Sequence, residues 1–141
     1  MASVYVDTNA VIRLVEEGHA GLRELFAGGR DEASRLVTSE LTPAEVLVGP
    51  LQAQSTRLLQ VCETLLADPI MIQTVPIDRS VPRKSAQIKA TFGGKLPDAI
   101  HIATALLSGG IAILSSDRRR RMPAELRRID IEAVDKRGEW S

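Results

Sequence analysis

The chain has 141 residues, of which 44% are apolar and only 3% aromatic, and its formal net charge at pH 7 is zero. That length and apolar share suffice for one domain with a sizeable aliphatic core, while the scarcity of rings argues against recognition of bases by stacked aromatic platforms. A lone cysteine, Cys62, excludes an internal disulfide; no apolar run approaches the roughly 18 residues of a membrane span, and the start lacks the basic and apolar regions of a secretion signal.

A soluble protein of the reducing cytoplasm is therefore expected, with Cys62 as a buried, inert thiol. Charge is unevenly spread: residues 1 to 68 carry ten acids and five bases, whereas residues 69 to 141 carry eight acids and thirteen bases. Such asymmetry suits a nucleic-acid surface beside an acidic site, and it equally suits a solvated basic face.

In chain order, SVYVD reads as a buried strand and NAVIRLVEE as a helix with apolar residues at 11, 12, 14 and 15. LVTS, residues 36 to 39, is a second short strand. Thr42, Pro43 and Glu45 then open a helix, with Pro in the first turn and Glu three residues after Thr. STRLLQVCETLLAD is an amphipathic helix, MIQTVPI a strand, and SVPRKSAQIKATFGG a polar helix closed by paired glycines. LPDAIHIATALLSGG is apolar on nearly all sides and so reads as a buried helix, opened by Pro97 and stopped by Gly109 and Gly110. IAILSSD and IDIEAVD supply the last strands, and the final residues, around KRGEWS, read as a free tail. Strand and helix alternate without repeats or long linkers. That pattern predicts one α/β domain over residues 1 to 141, with a parallel sheet covered by helices on both faces.

In such sheets, ligands bind outside the carboxyl ends of the strands. Asp7 and Asp117 end strands, and Asp98 and Glu45 lie in first helical turns, so all four are candidates for one crevice. Three of them also have a plain structural role available: a turn for Asp7, a capping box with Thr42 for Glu45, and a helix-dipole partner for Asp98. Asp98 suits that role least, because an acid opening an apolar helix is desolvated unless a charge compensates it. Together, crowded carboxylates raise one another's pKa unless a cation sits between them. With only His19, His101 and Cys62 as softer donors and no zinc-type spacing, an oxygen-rich site points to Mg²⁺ or Mn²⁺. His101, one turn after Asp98, is near enough to face the site, although a hydrogen-bonded helix histidine is the commoner role. His19 reads as surface.

Carboxylate-held Mg²⁺ serves phosphate chemistry, and phosphodiester hydrolysis is the natural inference. Phosphate-binding glycine loops of the GxxxxGK[ST] and GxGxxG types are absent from the sequence, and Asn9 replaces the second acid of a DxD motif.

DTN at residues 7 to 9, the helix acid in SELTPAEVL, LPDAIHIATA at 96 to 105 and SSD at 115 to 117 together resemble the PIN domain. The likeness spans essentially the whole chain, and within the superfamily it looks like a VapC-type toxin of a type II (VapBC) toxin-antitoxin pair. The resemblance implies a three-layer α/β/α sandwich around a mainly parallel sheet. It also implies a Mg²⁺- or Mn²⁺-dependent endoribonuclease with Asp7, Glu45, Asp98 and Asp117 as the acidic set. Asp7 and Asp98 would hold the principal metal, while Glu45 and Asp117 complete the site. Thr8 and Asn9, and Ser115 and Ser116, are candidates to support Asp7 and Asp117 through hydrogen bonds. Where family members often carry an aromatic after the last aspartate, Arg118, Arg119, Arg120 and Arg121 follow here. They are candidates for RNA phosphates, or a solvated loop. The resemblance further implies a VapB-type antitoxin that blocks the groove, and a homodimer.

Three other readings compete with this one. An inert PIN-like module would bind RNA or protein without cutting. A flap-cutting DNA nuclease would need clamp and DNA-binding elements for which the chain is too short. In a purely structural α/β domain, the acids would be only caps.

Overall fold

The computed structural model describes residues 2–28 and 34–140. Five strands, β1 (Ala2–Val6), β2 (Ser34–Ser39), β3 (Gln73–Val75), β4 (Gly110–Ser115) and β5 (Arg127–Asp130), form one sheet in the order β3-β2-β1-β4-β5. Every neighbouring pair is parallel, with Tyr5 opposite Val37 on one side and Ile113 on the other. Period-two alternation splits the strand residues between two cores. Val4, Val6, Leu36, Ala112 and Leu114 face one core, whereas Tyr5, Val37 and Ile113 face the other.

Helices α1 (Thr8–Ile12), α2 (Ala20–Phe26), α3 (Leu41–Gln52) and α4 (Thr56–Ala67) supply the first core with Val11, Leu22, Leu25, Phe26, Val46, Cys62 and Leu65. The second core is closed by α5 (Ser80–Phe92) and α6 (Leu96–Leu107) through Ile88, Ala99, Ile102 and Ala105. The expected three-layer α/β/α arrangement is therefore present. Both sheet faces are covered, which is why β1 and β4 read as near-continuous apolar runs. Cys62 is buried as expected, and burial, with the charges of Glu16 and Glu63, pushes its thiol pKa up.

Several boundaries differ from the sequence reading. The first helix is two pieces, α1 and a wider π-helical turn, Arg13–Glu17, that ends at Gly18 in the left-handed conformation (φ 63°). IDIEAVD is strand only at its start: Asp130 caps a 3₁₀ turn, Ile131–Ala133, by accepting from the Glu132 amide at 3.0 Å. The expected free end also folds back. Trp140 packs against the first core, and Gly138 (φ 78°) lies so close to α2 that an added Cβ would sit 2.8 Å from the Leu25 nitrogen. Ser141 of that segment lies outside the described residues. Apolar side chains punctuate this stretch too sparsely for periodicity to reveal the packing.

β1 is central, and the chain leaves it toward β2 on one side and β4 on the other. This change of direction opens a crevice at the carboxyl ends of β1 and β4.

Candidate active site

Asp7 stands where β1 ends and caps α1, its Oδ1 accepting from the Thr8 amide at 2.9 Å. It is 2% exposed, so its charge must be met inside the protein. Oδ2 accepts from Ser115 Oγ at 2.9 Å and from Asn9 Nδ2 at 3.3 Å. Ser115 Oγ also accepts the Asp117 amide at 3.1 Å, and Asn9 Oδ1 accepts the Ser116 amide at 3.3 Å. The end of β4 is thereby laced to the end of β1. Thr8, Asn9, Ser115 and Ser116 thus all participate in the local network, Ser116 through its backbone.

Glu45 does not act as the partner of a helix cap: Thr42 lies inside α3, and Glu40 precedes it without a side-chain cap. Instead Glu45 Oε1 accepts from Thr8 Oγ1 at 2.7 Å and lies 2.6 Å from His101 Nε2. His101 is buried, and its Nδ1 is 2.5 Å from the Tyr5 hydroxyl. Burial pushes the Tyr5 pKa well up, so that hydroxyl keeps its proton. The same hydroxyl accepts the Ser39 amide at 3.1 Å, so it links His101 on α6 to the end of β2. A carboxylate only accepts, so His101 Nε2 carries a proton and donates it to Glu45. The bond from His101, aided by that from Thr8 and opposed by burial, holds the Glu45 carboxyl below its usual range. Glu45 therefore stays ionised near neutral pH. The sequence reading favoured a satisfied helix histidine at position 101. His101 is indeed satisfied, but its partner is a site acid.

Asp98, in the first turn of α6, and Asp117, just beyond β4, approach Asp7 through a shared cation. That cation is Arg120, whose side chain is 8% exposed. Its Nη2 donates to Asp98 Oδ1 at 2.9 Å, its Nη1 lies 2.8 Å from Asp7 Oδ2, and its Nε is 3.7 Å from Asp117 Oδ2. Only the first contact is aligned as a hydrogen bond; Nε and Nη1 are buried without a hydrogen-bond partner. Of the four successive arginines, Arg120 alone turns inward to the acids. Arg118 is exposed and pairs with Asp130 at 2.7 Å, and Arg119 and Arg121 line a cavity of about 330 Å³ beside the acids. No periodicity in a loop reveals which of four identical residues turns in. A smaller hollow of about 210 Å³, lined by Asp7, Thr8, Asn9, Glu45, Asp98, His101 and Arg120, adjoins it.

The crowding of carboxylates that pointed to a divalent ion is thus met in this structure by a guanidinium. Among the described residues, no group of three or more His, Cys, Asp or Glu side chains is spaced as a ready-made ion cage. The donor chemistry nevertheless fits one: Asp7, Asp98 and Asp117 all direct oxygens at a single cationic group, and hard oxygens suit Mg²⁺ or Mn²⁺. The two unsatisfied nitrogens show that the guanidinium matches the trio by charge more than by donor geometry.

Comparison with known proteins places this fold. Solved structures with the same fold include a toxin-antitoxin complex from Klebsiella pneumoniae (21% identity, TM-score 0.68, covering 87% of this chain and 94% of that one). VapBC-1 from nontypeable Haemophilus influenzae is also similar (17%, TM-score 0.73, 91% and 97%). So is VapC20 of Mycobacterium tuberculosis, a sarcin-ricin loop cleaving toxin (14%, TM-score 0.62, 78% and 86%). No curated protein sequence matches the chain. The family model of the PIN domain matches residues 4–127, a span that begins in the strand delivering Asp7 and runs past Asp117 and Arg120 to β5, and the chain belongs to that family.

Proposed function

We propose that this chain is a Mg²⁺- or Mn²⁺-dependent endoribonuclease, the toxin of a toxin-antitoxin pair. The observation that carries the reading is the convergence of Asp7, Asp98 and Asp117, with Glu45 alongside, at the carboxyl ends of β1 and β4. Family membership and the toxins among its structural neighbours support it. In this reading Asp7 and Asp98 hold the ion and Asp117 completes its oxygen set. What such an ion supplies is positive charge for the phosphate in flight and a lower pKa for the attacking water.

The chain's own residues set the geometry. Thr8, Asn9 and Ser115 fix both oxygens of Asp7, leaving it little freedom to turn away. Glu45, kept ionised by His101 and Thr8, is a hydrogen-bond acceptor for water at the hollow and takes up its proton as the phosphate is attacked. Lys95, Arg119 and Arg121 line the neighbouring cavity with cations suited to the RNA backbone. The partners in this reading are an RNA substrate, a VapB-type antitoxin that covers the groove, and a second copy of the chain. Its location is the cytoplasm; among the described residues no helix is long and apolar enough to cross a membrane.

One observation favours the alternative of an inert RNA- or protein-binding module: Arg120 already neutralises the acids. Controlled expression in a bacterial host separates the two. The wild-type chain is expected to arrest growth and fragment cellular RNA, and Asp98→Asn, at equal soluble level, to do neither. Absence of arrest and of RNA fragmentation with both chains supports the inert module, and fragmentation by both would remove Asp98 from the machinery.

A further inference from the structure

We infer that Arg120 is a built-in counter-cation that closes the acidic trio to divalent ions and withdraws when one binds. The inference rests on the divalent-ion reading of the site and names a device within it. Three carboxylates meet one guanidinium, which leaves an excess of negative charge around the buried Asp7, with the half-buried Asp98 and Asp117 beside it. An arginine side chain does not lose its proton in proteins, so it remains a competitor for the site at any physiological pH. A divalent ion among the same oxygens would face that positive charge at close range, and the two cannot share the position cheaply.

The way Arg120 is held suits an occupant that leaves. Its Nε and Nη1 have no hydrogen-bond partner although both are buried, so departure gives up one aligned bond, to Asp98, and ion pairs with Asp7 and Asp117 whose charge an arriving divalent ion would replace. Asp7, by contrast, accepts bonds from Thr8, Asn9 and Ser115, none of which involves the arginine. Residue 120 belongs to the stretch between β4 and β5, outside any helix or strand. That stretch is anchored on either side of it: the Asp117 amide is tied to Ser115, Arg118 to Asp130, and Pro123 and Leu126 are buried. Side-chain rotation alone can therefore free the site. The roughly 330 Å³ cavity that Arg120 itself lines gives the withdrawn side chain somewhere to go, and its Gly93 and Gly94 have open space where a Cβ would stand.

The test is Mn²⁺ binding to the purified full chain, followed by electron paramagnetic resonance, for wild type, Arg120→Gln, Arg120→Lys and Arg120→Gln combined with Asp98→Asn. Removing the charge is expected to tighten Mn²⁺ binding by roughly tenfold or more, Arg120→Lys to stay within a few fold of wild type, and the double variant to lose the gain. Equal affinity in wild type and Arg120→Gln would overturn the inference while leaving the metal site intact. Weaker binding by Arg120→Gln would also overturn it, making the arginine a support for the metal. No binding by either chain would overturn the metal reading and this inference with it. Should Arg120→Gln fold poorly without ions, the wild type gives the second measurement: the NMR signal of the Arg120 Nε proton, sheltered from water in the metal-free protein, is expected to move and exchange faster as Mg²⁺ is added. Site saturation by Mg²⁺ with that signal unchanged would contradict the proposal.

Discussion

Ser115 serves two acids with one oxygen: its hydroxyl donates to Asp7 Oδ2 and accepts the Asp117 amide. Loss of a group that orients a metal ligand typically lowers metal affinity or activity by about 10- to 100-fold. Ser115→Ala is expected to fall in that range in kcat/KM for RNA cleavage, with an unchanged circular dichroism spectrum; full activity would remove Ser115 from the machinery. Tyr5 has a different kind of role. Its buried hydroxyl links the Ser39 amide to His101, so Tyr5→Phe strands two polar groups, at a cost of about 1–3 kcal/mol. Urea unfolding should register that loss, and activity should fall with it because His101 is then free to reorient away from Glu45. A stability loss with undiminished activity would show that Glu45 does not depend on this relay.

At the scale of elements, the stretch between β4 and β5 is where site and scaffold meet. Asp130, at the end of β5, receives the Glu132 amide and the side chain of Arg118, with Arg128 nearby. The amide bond above all, reinforced by the two arginines, holds its carboxyl below the usual range. A carboxyl depressed by folding stabilises the native state above its ordinary pKa of about 4, and that contribution fades as the pH falls through the lower folded value. Asp130→Asn should therefore lower the melting temperature at neutral pH, and the gap to wild type should narrow through the acid range. Parallel curves down to the most acidic folded sample would contradict this. The elements themselves were largely legible. β1 and β4 are apolar runs bounded by polar turns, and α6 is announced by Pro97 and closed at Gly109, so Asp7, Asp98 and Asp117 could be placed at ends of elements from the sequence alone. The π-helical turn, the early end of β5 and the inward turn of Arg120 were not legible. The π-helical turn is braced by Arg13 against Glu132 at 2.6 Å, and Arg120 reaches acids at the ends of three different elements, whereas β5 ends at the local cap that Asp130 makes with Glu132.

For the whole molecule, the arrangement ties an acidic centre, formed around the ends of β1 and β4, to a basic rim contributed by the later half of the chain. The acidic centre draws two acids from each half of the chain, Asp7 and Glu45 from the first and Asp98 and Asp117 from the second, whereas the rim cations Lys95, Arg119 and Arg121 belong to the basic later half. The acidic set could be assembled on paper because a parallel sheet brings strand ends to one edge. The sequence marks Arg120 only as a candidate for RNA phosphates, since no local pattern shows that a loop arginine reaches back to the acids. RNA binding through the rim should weaken steeply with salt, as phosphate contacts release counterions; Lys95→Ala should flatten that dependence in a fluorescence-anisotropy titration, and an unchanged slope would place the RNA elsewhere. The most direct test of the central claim is cleavage of total cellular RNA by the purified chain, free of any partner, with Mg²⁺, with EDTA, and with folded Asp7→Asn and Asp98→Asn variants. Cutting that requires both the ion and both aspartates is the expected result. Cutting that persists in EDTA or in either variant, or none by the folded wild type with Mg²⁺, would contradict it.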